Sequence, residues 1–377
     1  MPRRSLDAVI LIILVALPSI AFATSNYTVQ DLGRGYAVSI NDSGRVVGSL
    51  NTSPGNSPLP FVYSGGVYSI ISVGAGDYYG QATSINNSGI VSGNYGVIEN
   101  NSVSGYGNFL YNSATGILTN INLNGVNTYS DSRINSVNDS GHYTGAMHFE
   151  NNPVYQMPFV SDGSSFKMLS TLSGFGGEAF SINNNDVAVG MIATEEIVDG
   201  WQRTRAFVYD GTTSEYLALP GHSRALGVND ANVIVGRFGE KFDDRLQHGF
   251  IYGNGSYTDL GLGVALGVNN KNSVVGTSFI PGDSSAYLYE DNTMYSLISL
   301  VTGKSEFMSL NWAFDINERG QIVGQGRTMN GEWHAFLATP VEDPNPTATP
   351  EPSTMLLMGI GAAGAAFMRR RKMKQAN

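Results

Sequence analysis

The side chains of this 377-residue sequence best suited to bind a transition metal or to exchange protons near neutral pH are five histidines, His142, His148, His222, His248 and His334. They are scattered along the chain, and no pair has the spacing of a zinc motif, so no catalytic metal is expected. With no cysteine and no Gly-x-Ser-x-Gly elbow, the familiar acyl-transfer nucleophiles are missing as well. Two carboxylate groups stand out, Glu195-Glu196 with Asp199 and Glu240 with Asp243-Asp244. A pair of such acids on one face can work as a glycosidase couple or hold calcium through oxygen ligands; the plainer reading is solvated loop charge. No Asp-x-Asp-x-Asp-Gly loop supports calcium, and no other cofactor is expected. Rings give the better sign of binding. Tyr78 and Tyr79 sit in the run Gly76-Asp-Tyr-Tyr-Gly80, and Tyr95, Trp201 and Trp333 also lie beside Gly-rich or charged stretches. Rings with neighbouring amides and acids hold sugars by stacking and hydrogen bonding. These five are the candidate ligand contacts, with packing inside the fold as the alternative for each.

What must position these residues is a repeat. A twelve-residue unit, Ala37-Val-Ser-Ile-Asn-Asp-Ser-Gly-Arg-Val-Val-Gly48, returns at 82–93, 134–145, 179–190, 225–236, 265–276 and 313–324. Each of the seven copies carries an asparagine preceded by Ile or Val: Asn41, Asn86, Asn138, Asn183, Asn229, Asn269 and Asn317. Successive asparagines are 45, 52, 45, 46, 40 and 48 residues apart. The unit reads as a hairpin, with an apolar strand ending at Asn, a turn, and a Val-rich strand ending at Gly. In the fifth and sixth copies Asn232 and Asn272 stand where other turns have Gly, and Asn also tolerates the left-handed conformation. Seven identical amides can line a ligand channel, but a fold repeated seven times needs seven identical turns. The structural role is therefore the expected one.

A second strand signal follows each unit, such as Phe61-Val-Tyr63 or Phe336-Leu337. A third follows in six copies, at 67–72, 117–123, 166–172, 215–219, 257–260 and 295–300. The seventh copy lacks it, whereas 27–32 precedes the first unit and resembles 257–260. The predicted fold is thus all-β: a seven-bladed β-propeller of four-stranded blades, the last blade closed by the N-terminal strand. An open solenoid is the rival. Long connections at 49–58, 94–108, 146–157 and 191–204 are expected as loops that gather on one face if that face binds.

The ends carry addresses. Residues 1–23 have a basic start, a short apolar run from Ala8 to Leu17 and a small-residue cleavage site, as in a secretion signal. Residues 24–340 hold the seven repeats, and 341–352 form a Pro-rich tether ending in Pro350, Glu351 and Pro352. Residues 353–377 are a short apolar helix with a basic tail, fit for transient or retained membrane insertion. Removing 1–23 and 351–377 takes seven of the 21 basic and two of the 31 acidic residues and leaves a body near −15. That balance argues against nucleic acid as a partner.

The tail resembles the PEP-CTERM sorting signal, which implies an exosortase-type processing enzyme as partner and a destination at the cell surface or beyond. The Ala-x-x-Ile-Asn-x-x-Gly-x-Val-Val-Gly unit, with His334-Ala335-Phe336 in the last copy, resembles the extracellular HAF repeat family. That family implies an extracellular setting and supplies no catalytic residue. The expected function is a non-enzymatic surface or matrix protein that binds exopolysaccharide or an envelope protein. The alternatives are a secreted polysaccharide hydrolase or lyase using loop carboxylates, and a purely structural surface protein.

Overall fold

The computed structural model describes residues 26–341, apart from 52–56, 75–76, 101, 124–131, 150–151, 170–174, 199, 242–245 and 281–282. The chain divides into two units, Met1–Pro340 and Val341–Asn377. The secretion signal, the Pro350-Glu351-Pro352 motif and the C-terminal apolar helix lie outside the described residues. Among the described residues no helix is long and apolar enough to cross a membrane.

The first repeat comprises β1 (Tyr27–Ile40), β2 (Val46–Leu50), β3 (Leu59–Ser64) and β4 (Val67–Ile70). The second comprises β5 (Asp77–Ile85), β6 (Ile90–Glu99), β7 (Ser102–Asn112) and β8 (Ile117–Ile121). The third runs through β9 (Arg133–Val137), β10 (Tyr143–Phe149), β11 (Asn152–Ser161) and β12 (Phe166–Met168). The fourth contains β13 (Gly177–Ile182), β14 (Ala188–Val198), β15 (Trp201–Tyr209) and β16 (Ser214–Tyr216). Next come β17 (His222–Val228), β18 (Ile234–Gly239), β19 (His248–Gly253), β20 (Ser256–Val268), β21 (Val274–Ile280), β22 (Asp283–Glu290) and β23 (Thr293–Ser296). A 3-10 turn at Leu297–Leu300 leads to β24 (Phe307–Ile316), β25 (Ile322–Thr328) and β26 (Trp333–Pro340).

Every repeat is built on one row of paired residues. Ala37 faces Gly48, which faces Phe61, and the row recurs as Ala82–Gly93–Phe109, Ala179–Gly190–Phe207 and Ala313–Gly324–Phe336. The glycine is required by contact. A Cβ on Gly190 would lie 2.0 Å from the Glu178 carbonyl oxygen and 2.8 Å from the Phe207 ring. The carbonyl comes so close because the first strand carries a bulge just after the alanine, between Ala179 and Ser181. The flat glycine lets the phenylalanine lie across the sheet, and Phe61, Phe109, Phe159, Phe207, Phe250 and Phe336 are all fully buried. Each contributes about 1.5–3 kcal/mol of apolar burial.

The repeat asparagine does two jobs. In the fourth copy, Asn183 Oδ1 accepts the N–H of Asn185 (3.0 Å) and of Val187 (2.9 Å), capping its own turn. Its Nδ2 donates across to the carbonyl of Asn229 in the next repeat (2.8 Å). The same link runs Asn41 to Asn86 to Asn138 to Asn183 to Asn229 to Asn269 to Asn317 and back to Asn41, at 2.7–3.2 Å. All seven side chains are buried. Asn232 and Asn272 take left-handed φ values of 60° and 65°, and Asp186 does so at 62°.

The expected closed seven-bladed propeller of four-stranded blades, its last blade closed by the N-terminal strand, is corrected by the hydrogen bonding. Among the described residues the strands form five sheets, of seven, four, four, seven and four strands, and none closes on itself. The cause is local. β1 pairs with β26 through Tyr27–Asp31 and with β2 through Gly35–Ile40, so one strand serves two repeats. β20 likewise joins β19 to β21. In both strands two glycines take positive φ at the crossing, Gly33 and Gly35 in β1 and Gly261 and Gly263 in β20. An aspartate fixes each bend: Asp31 accepts the N–H of Gly33 and bonds His334 Nδ1, while Asp259 accepts the N–H of Gly261 and bonds His248 Nδ1.

The expected long loops are corrected too. Residues 94–108 and 191–204 are mostly strand, because β6 with β7 and β14 with β15 stay paired well beyond the core row. These extensions all lie at the end of their sheets opposite the asparagine turns.

Candidate functional site

Four tyrosines and one arginine converge where the first three repeats meet, around a cavity of about 360 Å³. The lining includes Tyr36 of β1, Pro58, Tyr79 and Gln81 of β5, Asn94 and Tyr95 of β6, Tyr106 of β7, and Ser132 and Arg133 at the start of β9. The sheet register explains the cluster of rings. Tyr79 pairs with Gly96, which pairs with Tyr106; one step along, Gly80 pairs with Tyr95, which pairs with Gly107. A Cβ on Gly96 would lie 2.5 Å from the Tyr79 ring, and one on Gly107 would lie 2.2 Å from the Tyr95 ring. The alternating glycines are therefore what allow these rings to lie over the backbone.

The hydroxyls are tied into the site. Burial raises the Tyr79 phenol above its ordinary range, and its hydrogen bond with Tyr106 and the neighbouring Tyr106 charge raise it further. Burial also raises Tyr36, against a weaker opposing effect of Ser49. The Tyr36 hydroxyl donates to Gln81 Oε1 at 2.9 Å. Asn94 clamps the next repeat, accepting the N–H of Ile134 (2.9 Å) and donating to its carbonyl (3.1 Å). Asn108, opposite Asn94 in the sheet, has a buried Oδ1 without a hydrogen-bond partner.

Arg133 is held from behind. Its Nε donates to Glu178 Oε1 (2.5 Å), and its Nη2 donates to Glu178 Oε2 (2.9 Å) and Gln156 Oε1 (3.1 Å). Glu178 Oε1 also accepts from Asn135 Nδ2 (2.9 Å). Glu178 is buried and is not part of the cavity wall. Among the described residues Arg133 is the only charged side chain lining the cavity.

Of the residues singled out in the sequence, Tyr79 and Tyr95 line this cavity and the other three do not. Tyr78 points its hydroxyl to the Ile71 carbonyl (3.4 Å) and packs against the core. Trp201 lies at the tip of the β14–β15 hairpin, 61 % exposed, and Trp333 begins β26, 47 % exposed. Among the described residues the loop carboxylates form no cluster either. Glu196 pairs with Arg203 (2.8 Å), and Asp199, Asp243 and Asp244 lie outside the described residues. Among the described residues no group of three His, Asp or Glu side chains is placed to hold a metal ion, calcium included. Tyr36, Asn94, Tyr106, Arg133 and Glu178 were missed. One signal could have found three of them: Tyr36, Arg133 and Glu178, like Gln81, each stand one residue before a repeat unit, at a position that changes from copy to copy.

A second cavity, of about 380 Å³, lies between the third and fourth repeats. Its charges are already engaged, His142 with Asp186 (2.8 Å) and Lys167 with the Tyr209 hydroxyl (2.6 Å). Asp162 caps the turn at Ser164 and Ser165, and those N–H groups hold its carboxyl below the usual range. It is the weaker candidate.

Comparison with known proteins gives a sorting signal and a fold. Residues 348–372 match the PEP-CTERM protein-sorting motif. No curated protein matches the chain in sequence. Among solved structures it is similar to the β-propeller domain of the Trilobed protease from Pyrococcus furiosus, described as having an open velcro topology. There the TM-score is 0.56 and the identity 12 %, over 83 % of this chain and 99 % of that one. Two weaker likenesses are Trypanosoma rangeli sialidase (TM-score 0.42, 11 % identity, 84 % and 55 % coverage) and a polysaccharide lyase of family PL25, an ulvan lyase (TM-score 0.42, 10 % identity, 81 % and 93 % coverage). The expectation of a non-enzymatic binding protein is corrected here. The likeness to a domain of a protease, at 12 % identity, shows the fold alone, and that fold gives no ground for excluding catalysis. What the chain shares with the protease domain is a fold resembling a β-propeller.

Proposed function

We propose that this chain is exported and cleaves an extracellular polysaccharide, by hydrolysis or elimination, at the tyrosine-lined cavity between its first three repeats. The carrying observation is the Tyr79–Tyr106 pair in a cavity of about 360 Å³ that is also lined by Gln81, Asn94 and Arg133. That volume and mixture suit a short run of sugar rings. Any phenol keeps its proton at neutral pH, and burial holds that of Tyr79 more firmly still. In hydrolysis Tyr79 is cast as the acid that gives its proton to the departing glycosidic oxygen while a water from solvent adds to the anomeric carbon and releases the proton that restores the phenol, with Tyr95 and Tyr36 as stacking surfaces and Gln81 and Asn94 as hydroxyl partners.

The address at the tail supports the setting. In this reading residues 1–23 are removed on export and 24–340 are the working body. An exosortase-type enzyme acts at Pro350-Glu351-Pro352, and residues 353–377 enter the membrane until that step. The repeats are read as HAF repeats whose asparagines are structural.

The test is to incubate the full chain with a panel of bacterial and algal polysaccharides and to count new chain ends. At least one polymer is expected to be cut. If none is, the cleavage reading fails.

A further inference from the structure

We infer that the cavity takes an uncharged polysaccharide, which narrows the cleavage to hydrolysis. This inference rests on the carbohydrate reading of the site above. Three observations carry it. The first is that, among the described residues, the wall holds no uncompensated charge. Arg133 is the only charged side chain in the lining, and Glu178 cancels it at contact, Nε to Oε1 at 2.5 Å and Nη2 to Oε2 at 2.9 Å. Gln156 Oε1 takes the other hydrogen of Nη2 (3.1 Å), so this edge of the guanidinium serves the fold. At those distances the pair acts on a ligand as a nearly neutral unit.

The second is the make-up of the remaining wall. Four tyrosines, Gln81, Asn94 and Ser132 bring hydroxyls and amides, which carry no charge at neutral pH. Burial holds the protons of the Tyr36 and Tyr79 phenols more firmly still. Gly80 and Gly107 line the cavity and flank Tyr95 in the sheet, and a Cβ on Gly107 would lie 2.2 Å from the Tyr95 ring. A ring lying over bare backbone makes a broad apolar wall, on which the C–H face of a neutral sugar stacks.

The third is the field of the whole chain. Its formal charge of −10 repels polyanions and leaves uncharged polymers unaffected. The reaction class follows from the substrate. Elimination removes the ring hydrogen next to the carboxyl group of a uronic acid, and that hydrogen is acidic only because the carboxyl is there. A neutral sugar has no such group, so hydrolysis remains. The bond between the anomeric carbon and the glycosidic oxygen breaks, the carbon gains the hydroxyl of water and the departing oxygen gains a proton. No co-reactant other than water is needed.

The experiment is affinity electrophoresis of the full chain through gels containing dextran, hydroxyethyl cellulose or galactomannan, and through gels containing polygalacturonate or dextran sulfate. The wild type is expected to be retarded by at least one of the uncharged polymers and to pass freely through both polyanions. Tyr95→Leu keeps apolar bulk against the core and removes the ring, and is expected to weaken retention about tenfold. Tyr106 is 44 % exposed, so Tyr106→Ala probes the same wall with little risk to folding. It is expected to weaken retention as well, while circular dichroism stays that of the wild type. The ends released from a retained polymer are expected to be reducing ends without the ultraviolet absorbance of an unsaturated sugar. Retardation by a polyanion, retardation by no polymer, unsaturated ends, or ring variants that both bind like the wild type would overturn the inference. Retention by a neutral polymer without cleavage upholds it and defeats the cleavage reading, and cutting of a polyanion does the reverse, so the two fail separately.

Discussion

Asn183 shows why one residue type recurs seven times. Its oxygen caps the turn it belongs to, and its amide nitrogen reaches the Asn229 carbonyl of the next repeat (2.8 Å) and Asn232 Oδ1 (2.9 Å). Asp keeps the acceptor and loses the donor, placing a carboxylate against two oxygens. Asn183→Asp is expected to destabilise by about 1–3 kcal/mol in urea unfolding at neutral pH, the cost of a buried group left without its partner. No loss would mean that the inter-repeat bond contributes nothing. Asp315 occupies the place where the first four repeats carry Ser39, Ser84, Ser136 and Ser181. Its carboxylate accepts from the Ser39 hydroxyl and from the N–H groups of Ile40 and Ile316. Loss of water outweighs those bonds and pushes the carboxyl up to about 6. The folded chain therefore holds this proton more tightly than the unfolded chain, whose aspartates titrate near about 3.9. The associated stability is fully present below about pH 4 and is lost as pH rises through about 6. Asp315→Asn is expected to raise the melting temperature at pH 8 and to leave it nearly unchanged at pH 4. An equal shift at both values would refute the assignment.

At the scale of the element, the row of alanine, glycine and phenylalanine decides how a repeat packs. Gly190→Ala drives a Cβ into the Glu178 carbonyl and the Phe207 ring, whereas Gly253 of β19 has open space around its Cβ position. Gly190→Ala is expected to cost about 1–3 kcal/mol or more, and Gly253→Ala about 1 kcal/mol or less, by chemical denaturation. Similar losses at both sites would show that the close approach is not what the glycine serves. These rows were legible in the sequence because the same sterics act seven times and leave nearly the same letters, with Ile134 for the alanine in the third copy and Tyr287 for the phenylalanine in the sixth. The merging of repeats through β1 and β20 was not, because it depends on whether hydrogen bonding continues through Gly33–Gly35 and Gly261–Gly263, which turn-type residues alone do not reveal. The site divides in the same way. Tyr79 and Tyr95 were visible as rings beside glycines. Arg133, Glu178 and Tyr36 stand just outside the repeating unit, where each copy differs, and only the packing of neighbouring repeats shows that they meet. Trp201 and Trp333 misled because a ring beside a charged stretch serves a hairpin tip as readily as a binding wall.

Over the whole molecule, the two ends of the repeats meet in one sheet, where Tyr27–Asp31 pair with Phe336–Pro340 and Asp31 bonds His334. The asparagine circuit crosses the same seam from Asn317 to Asn41. A chain lacking residues 24–32 keeps every repeat unit but loses that pairing. It is expected to unfold at lower urea concentration and over a broader transition than the full body, and an unchanged transition would show that the seam is dispensable. The cavity gathers residues from three successive repeats, so its chemistry belongs to the assembled molecule and not to any one hairpin. The most direct measurement is the rate of new chain ends on whichever polysaccharide the full chain cuts, compared across three variants. Tyr79→Phe is predicted to lower the rate about 100- to 10,000-fold with folding intact, while Trp201→Ala and Trp333→Ala leave it within about twofold of the wild type. A Tyr79→Phe chain as fast as the wild type would contradict placing catalysis in this cavity, as would a loss confined to the tryptophan variants.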